Sequence, residues 1–154
     1  MTDRFSATRP AQVLLVEDVD DDAELVRLAF AAAKQPVELH CVEDGEKCLA
    51  FLRRQPPYQD APVPHLVLLD LNMPRMDGRE VMAELARDDA LKHLPVVVLT
   101  TSSDEADVLE LYRLRCSSYV VKPVGFENFV ATIRLLGDYW LRLVVLPRRA
   151  GAAD

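Results

Sequence analysis

The sequence predicts an α/β protein: one parallel sheet of five strands in the order 2-1-3-4-5, with helices on both faces and an extended C-terminal helix. Three observations carry this reading. Short apolar runs alternate with stretches in which apolar residues recur at helical spacing, the pattern of repeated βα units. Leu66–Leu69 and Pro95–Leu99 have no polar alternation, which suits strands buried on both faces. Several runs stop abruptly on polar groups: Glu17 and Asp18, Asp70, Thr100, and Lys122. Right-handed crossovers leave few topologies, of which 2-1-3-4-5 is a common one for five strands.

Residues 1–10 have no periodicity and are expected to form a flexible leader. Gln12–Val16 is the first strand. Asp20, Asp21 and Asp22 follow where a helix would start, favourable at its positive end, and Leu25, Val26, Ala29, Phe30 and Ala33 continue one face. Val37–Val42 is a short second strand, Asp44-Gly45 turns the chain, and Cys48, Leu49, Phe51 and Leu52 stripe a second helix. The linker Arg53–Pro64 holds Pro56, Pro57, Pro62 and Pro64, which favour stiff, extended loop.

Leu66–Leu69 is the third strand. Pro74 and Gly78 punctuate the turn after it, Asp77 is placed to cap a helix, and Val81, Met82, Leu85 and Ala86 recur at helical spacing. The fourth strand ends at Thr100-Thr101. Ser102 followed by Glu105 reads as a capping box opening a helix with Val108, Leu111, Tyr112 and Arg115. Ser118–Val121 is the fifth strand, closed by Lys122-Pro123, where the pre-proline residue is extended and a cis bond is open. From Glu127 to Leu146, Phe129, Val130, Ile133, Leu136, Trp140, Leu143 and Val144 form one helical stripe. Leu135, Tyr139, Leu141, Val145 and Leu146 fall off it, and apolar surface of that kind marks an interface. The expected division is a leader over 1–10, one domain over 11–147 and a tail over 148–154.

A chain of 154 residues fits one domain and buries about 68–70% of the surface its unfolded form exposes. The three cysteines, Cys41, Cys48 and Cys116, show neither metal-ligand nor CxxC spacing, so reduced thiols and a cytoplasmic location are expected. No apolar run approaches a membrane span of roughly 20 residues. The net charge of -7 gives no electrostatic footprint for nucleic acid.

Glu17, Asp18, Asp70, Thr100 and Lys122 are all predicted at the carboxyl ends of strands, the edge where open α/β sheets bind ligands. Three crowded carboxylates ionise together at neutral pH only if a cation joins them. Mg2+ suits one or two carboxylates plus waters and a phosphate. Lys122 adds positive charge and Thr100 a hydroxyl, a set complementary to a phosphoryl group in transfer. Asp70 is then the nucleophile, and as a carboxylate it needs no base.

Four motifs in order, Val13-Leu14-Leu15-Val16-Glu17-Asp18, Leu68–Gly78 with Asp70, Met73-Pro74 and Asp77-Gly78, Val97-Val98-Leu99-Thr100, and Tyr119-Val120-Val121-Lys122-Pro123, make the chain resemble the receiver domain of two-component response regulators over about residues 11–136. The resemblance implies a flavodoxin-like fold. It implies that Asp70 accepts a phosphoryl group from the phosphohistidine of a sensor histidine kinase. Asp18, Asp70 and the main-chain carbonyl of Asn72 would ligate Mg2+, with Glu17 assisting through a water, while Thr100 and Lys122 hold phosphoryl oxygens. Thr100 and Tyr119 would form a switch that reshapes the face of helix 4, strand 5 and helix 5, and Asn72 and Ser102 would tune phosphoryl lifetime.

Where many receivers carry glycine before strand 5 this chain has Arg115-Cys116, so another loop geometry is expected. The Pro-rich linker, the run Thr100-Thr101-Ser102-Ser103 and the ending from Gly137 to Pro147 resemble the single-domain regulators paired with bacterial phytochromes. That narrower resemblance implies a bacteriophytochrome kinase as partner and no output domain on this chain. A homodimer through the C-terminal helix and the helix 4, strand 5, helix 5 face is expected, a kinase-docking surface being the competing use of those residues. The alternatives are a phosphate carrier in a phosphorelay and a Mg2+-dependent phosphohydrolase. The latter typically has an acid where this chain has Asn72, which cannot protonate a leaving group.

Overall fold

A computed structural model describes residues 4–147. Its strands are β1 (Ala11–Val16), β2 (Val37–Val42), β3 (Leu66–Leu69), β4 (Val96–Thr100) and β5 (Ser118–Val121). Its α-helices are α1 (Asp20–Ala32), α2 (Gly45–Leu52), α3 (Gly78–Ala86), α4 (Glu105–Arg113) and α5 (Phe126–Gly137). The sheet is parallel, in the order β2-β1-β3-β4-β5 expected from the sequence.

Alternation along each strand divides the core between the two faces. Leu14, Val16, Val67, Leu69, Val96 and Val98 pack against Cys48 and Leu49 of α2, Val81, Met82 and Leu85 of α3, and Leu111 of α4. Val13, Leu15, Leu66, Leu68, Val97 and Leu99 pack against Val26, Ala29 and Phe30 of α1 and Phe129, Ile133 and Leu136 of α5. Each such side chain, fully buried, stabilises the fold by about 1.5–3 kcal/mol over its exposed state. Register then levels the strand ends: Val16 pairs with both Val42 and Leu69, and Leu69 pairs with Val98. Pairing runs one step past the apolar residues, through Glu17 N to Val42 O (3.0 Å), Asp70 N to Val16 O (3.1 Å) and Lys122 N to Thr100 O (2.7 Å). The polar residues therefore leave the sheet from a hydrogen-bonded backbone at one rim.

The structure corrects four local expectations. The α4 cap is Asp104, whose carboxylate accepts from Ala106 N at 2.8 Å, because the Ser102 hydroxyl is already committed to Asp107 at 2.6 Å. The cis peptide among the described residues is Pro56–Pro57, not Lys122–Pro123. Arg115 itself takes the left-handed conformation (φ 71°) that glycine would adopt freely, at a cost of roughly 1–2 kcal/mol, while Cys116 N closes the helix end on Leu111 O at 3.0 Å.

The fourth concerns the C-terminal segment. Past Gly137 the helix widens into a π-helix, Asp138–Leu143, closed by Val144 N on Tyr139 O five residues back at 3.0 Å. The apolar stripe then advances by five: Leu136, Leu141 and Leu146 are buried, while Leu143 is exposed. A constant 3.6 residues per turn puts Leu143 inside and Leu141 and Leu146 outside. A π-turn removes that period.

Of the segment expected as a loose leader, residues 4–10 hold a turn paired between Ser6 and Arg9, and Phe5 packs edge-on against His65 with ring centroids 4.7 Å apart. His65 is buried and its Nδ1 accepts from Gln12 N at 3.0 Å. Residues 1–3 and the expected tail 148–154 lie outside the described residues. Among the described residues no helix is long and apolar enough to cross a membrane. Burial raises all three cysteine thiols, Cys48 to about 12. A maleimide at pH 8 is expected to modify the exposed Cys41 slowly and to leave Cys48 untouched until urea unfolds the chain, which peptide mass mapping reads directly.

Candidate functional site

Glu17 and Asp18 follow β1 and Asp70 follows β3, and one carboxylate oxygen from each lies within 4.8 Å of the others. Lys122, following β5, enters the same cluster. Its ammonium donates to Glu17 Oε1 at 2.5 Å and stands 4.0 Å from Asp70 Oδ2 and 3.5 Å from Asp22 Oδ2. Its side chain is only 9% exposed. Burial alone would lower its pKa, but the three surrounding carboxylates outweigh that and raise it, so Lys122 is a cation at neutral pH. Glu17 is pushed up to about 7, first by burial, against the pull of Lys122 and with Asp70 adding to the rise.

The two oxygens of the Asp70 carboxylate have different surroundings. Oδ1 accepts from Leu71 N at 2.8 Å, while Oδ2 faces Lys122 on a side chain 13% exposed. The loop behind it is fixed by Gly78 N on Leu71 O (2.9 Å), by Gly45 N on Met76 O (3.1 Å) and by the Arg75 guanidinium on the buried Asp44 (3.0 Å). Asn72 lies in this loop, two residues past Asp70, with its side chain exposed. Asp77 is the cap expected from the sequence and forms a capping box with Glu80, which starts α3 directly behind the Asp70 loop.

Thr100 ends β4 fully buried, and its hydroxyl has no hydrogen-bond partner. An orphaned buried hydroxyl costs about 1–3 kcal/mol, so the position favours a ligand that supplies an acceptor. Tyr119, half-buried on β5, donates its hydroxyl to Ser102 O at 2.9 Å.

Glu17, Asp18, Asp70 and Asp22 outnumber the single ammonium, so the rim stays net negative even with Glu17 partly protonated near pH 7. The donor set is all oxygen, the chemistry of a hard divalent cation with waters completing its shell. Glu17, Asp18 and Asp70 are therefore the residues that can hold a metal here.

Sequence reading did not assign Asp22 to the Lys122 cluster, nor Asp44 and Arg75 to the loop; the acidic start of α1 was the one local signal for Asp22. Val19, Val124 and Phe126, beside Asp18 and Lys122 in the chain, are exposed and were also missed.

The family model for the response regulator receiver domain matches residues 13–134. The response regulator Rcp1 of Synechocystis sp. is 41% identical over 138 residues, covering 90% of this chain and 94% of Rcp1. The structure of the phosphorylated cyanobacterial phytochrome response regulator RcpA is similar with a TM-score of 0.85 at 38% identity, over 90% of this chain and 99% of RcpA. The Mn2+-bound form of Rcp1 superposes with a TM-score of 0.83 at 40% identity, over 90% of this chain and 100% of Rcp1. The bacteriophytochrome response regulator AtBRR gives 0.71 at 36% identity, over 90% and 99% of the two chains. A match across most of the chain, the shared 2-1-3-4-5 sheet and the acids and lysine gathered at its carboxyl rim make this protein a member of the response regulator receiver domain family.

Proposed function

We propose that this chain is a phosphoacceptor of two-component signalling, in which Asp70 takes a phosphoryl group from the phosphohistidine of a sensor histidine kinase. The observation that carries the reading is Asp70 at the carboxyl rim, with a buried ammonium 4.0 Å from its Oδ2 and two further acids within 4.8 Å. Oδ2 attacks phosphorus, the P–N bond breaks, and its electron pair returns to the ring nitrogen of an imidazole that carries a proton on its other nitrogen, leaving neutral histidine and an aspartyl phosphate. Lys122, 4.0 Å from Asp70 Oδ2, and the unpartnered Thr100 hydroxyl would donate to the phosphoryl oxygens. Asp18, Asp70 and the Asn72 carbonyl would hold Mg2+, with Glu17 acting through water. When bound, the ion neutralises phosphoryl charge.

The product is a change of shape in a cytoplasmic signalling protein, not turnover of a substrate. Thr100 and Tyr119 form the switch, and the face of α4, β5 and α5 is its readout. Likeness to RcpA and AtBRR supports a bacteriophytochrome as the kinase. Val19, Val124 and Phe126 offer an exposed apolar rim for that partner. The decisive test is phosphotransfer from bilin-bearing kinases under two light conditions. Rapid light-dependent labelling of Asp70 supports the pathway, and labelling only by an unrelated kinase sinks it. Return of the label from Asp70 to a second histidine protein would favour a phosphorelay carrier.

Self-association belongs to the same proposal. Leu109 and Tyr112 of α4, Val121 of β5, Leu135 of α5, and Tyr139 and Leu143 of the π-helix are all exposed, an apolar surface that two copies would cover symmetrically. Leu135→Glu with Leu143→Glu is expected to convert a dimer at micromolar concentration to monomer in sedimentation. A wild-type protein that sediments as monomer excludes the dimer.

A further inference from the structure

An ion cluster outside the acceptor site ties the acceptor loop to the switch. Arg79, in the first turn of α3 and one residue beyond the glycine that closes the Asp70 loop, sends its guanidinium to two carboxylates of α4, Asp107 at 2.5 Å and Glu110 at 2.6 Å. The other oxygen of Asp107 accepts from the Ser102 hydroxyl at 2.6 Å. The Ser102 carbonyl accepts from the Tyr119 hydroxyl at 2.9 Å. Four residues from α3, α4, the β4–α4 loop and β5 thus form one continuous polar path.

Its context separates it from an ordinary surface ion pair, worth about 0–1 kcal/mol. The Arg79 and Asp107 side chains are about three-quarters buried, and the guanidinium makes one charge-assisted bond to each of two acids. The backbones of α3 and α4 hardly touch, and beside the apolar core that both helices share this cluster is a direct polar tie between them. Ser102 is gripped through both its side chain and its carbonyl, two residues past Thr100. The arrangement so held keeps the Thr100 hydroxyl buried and unpartnered, a state that an incoming acceptor oxygen would complete.

We infer that Arg79 and Asp107 are positioning residues that, through Ser102 and Tyr119, hold the β4–α4 loop and Thr100 in the arrangement that receives the phosphoryl group. This rests on the phosphoacceptor reading and adds to it a second mechanical route, from α3 through α4 to Tyr119.

The test is calorimetric binding of Mg2+ alone, and of beryllofluoride as phosphoryl mimic in saturating Mg2+, to the full chain. Arg79→Gln and Asp107→Asn are expected to weaken the mimic about fivefold or more while Mg2+ alone binds as in wild type, because the carboxylates at the metal site follow β1 and β3, outside the path. Arg87→Gln, which removes an ion pair within α3 itself, is expected to change neither. In a Tyr119→Phe background Arg79→Gln is expected to have much less effect, the non-additivity of a shared path. Wild-type affinity for the mimic in both variants, full additivity with Tyr119→Phe, or a parallel loss of Mg2+ binding overturns the inference. If wild type fails to bind the mimic, or Asp70→Asn binds it equally well, the phosphoacceptor reading fails and the role of the path with it.

Discussion

Replacing Asp70 with Asn is expected to abolish labelling by acetyl phosphate in the presence of Mg2+, a loss of ~1000-fold or more, because an amide oxygen is a poor nucleophile beside a carboxylate. The substitution is close in shape, so Leu71 N keeps an oxygen to donate to. Two further consequences follow from charge alone. Mg2+ affinity is expected to fall by ~10-fold or more, since one of the three acids gathered at the ion's site loses its charge. Without Mg2+ the variant is expected to be the more stable protein, by about 1–2 kcal/mol, because Asp70 contributes repulsion toward Glu17 and Asp18 that a single ammonium only partly offsets. Mass spectrometry, calorimetry and urea unfolding read the three effects separately. Retained labelling at another residue would remove Asp70 from its role, and a destabilised variant would show that its charge is structural.

The parts of this molecule that could be read from sequence are those where a local pattern has one physical solution. Leu66–Leu69 followed by Asp70 is such a pattern: four residues that all need burial, then one that cannot be buried unpaired. Val13–Val16 before Glu17, and Val96–Leu99 before Thr100, repeat it, and parallel register then brings the ends level. What stayed hidden depends on competition between local solutions or on distant partners. Ser102, Ser103 and Asp104 can each cap a helix, and the choice fell to Asp104 because Asp107 takes the Ser102 hydroxyl. The π-helix at Asp138–Leu143 keeps Leu141 and Leu146 in contact with the core, a tertiary gain that a fixed helical period cannot anticipate. Arg79 reads in sequence as a solvated residue in the first turn of a helix, where a cation is mildly unfavourable. Only the fold supplies the α4 acids that explain it.

Gly78→Ala is expected to be among the most damaging single-methyl additions in the chain, lowering the unfolding free energy by about 1–3 kcal/mol although alanine is the better helix former. A Cβ at residue 78 would lie 2.6 Å from the Asp70 carbonyl oxygen and 3.0 Å from Leu71 Cα. Both are backbone atoms of the segment that presents the acceptor, and that backbone is fixed by Asp70 N on Val16 O and Gly78 N on Leu71 O. Relief therefore requires either the α3 start or the Asp70 loop to move, and moving the loop carries the Asp70 carboxylate away from Lys122, Glu17 and Asp18. Loss of Mg2+ affinity and of labelling rate should accompany the loss of stability. Gly137→Ala gives the contrast, because the obstacle there is the Gln35 side chain, which can swing aside by giving up its bond to Arg134 O (2.9 Å). Urea unfolding and Mg2+ titration of the two variants in parallel test this: damage confined to Gly78→Ala, in both stability and metal binding, is the expected result, whereas equal stability with unchanged Mg2+ affinity would mean that the acceptor loop is softer than its hydrogen bonds imply.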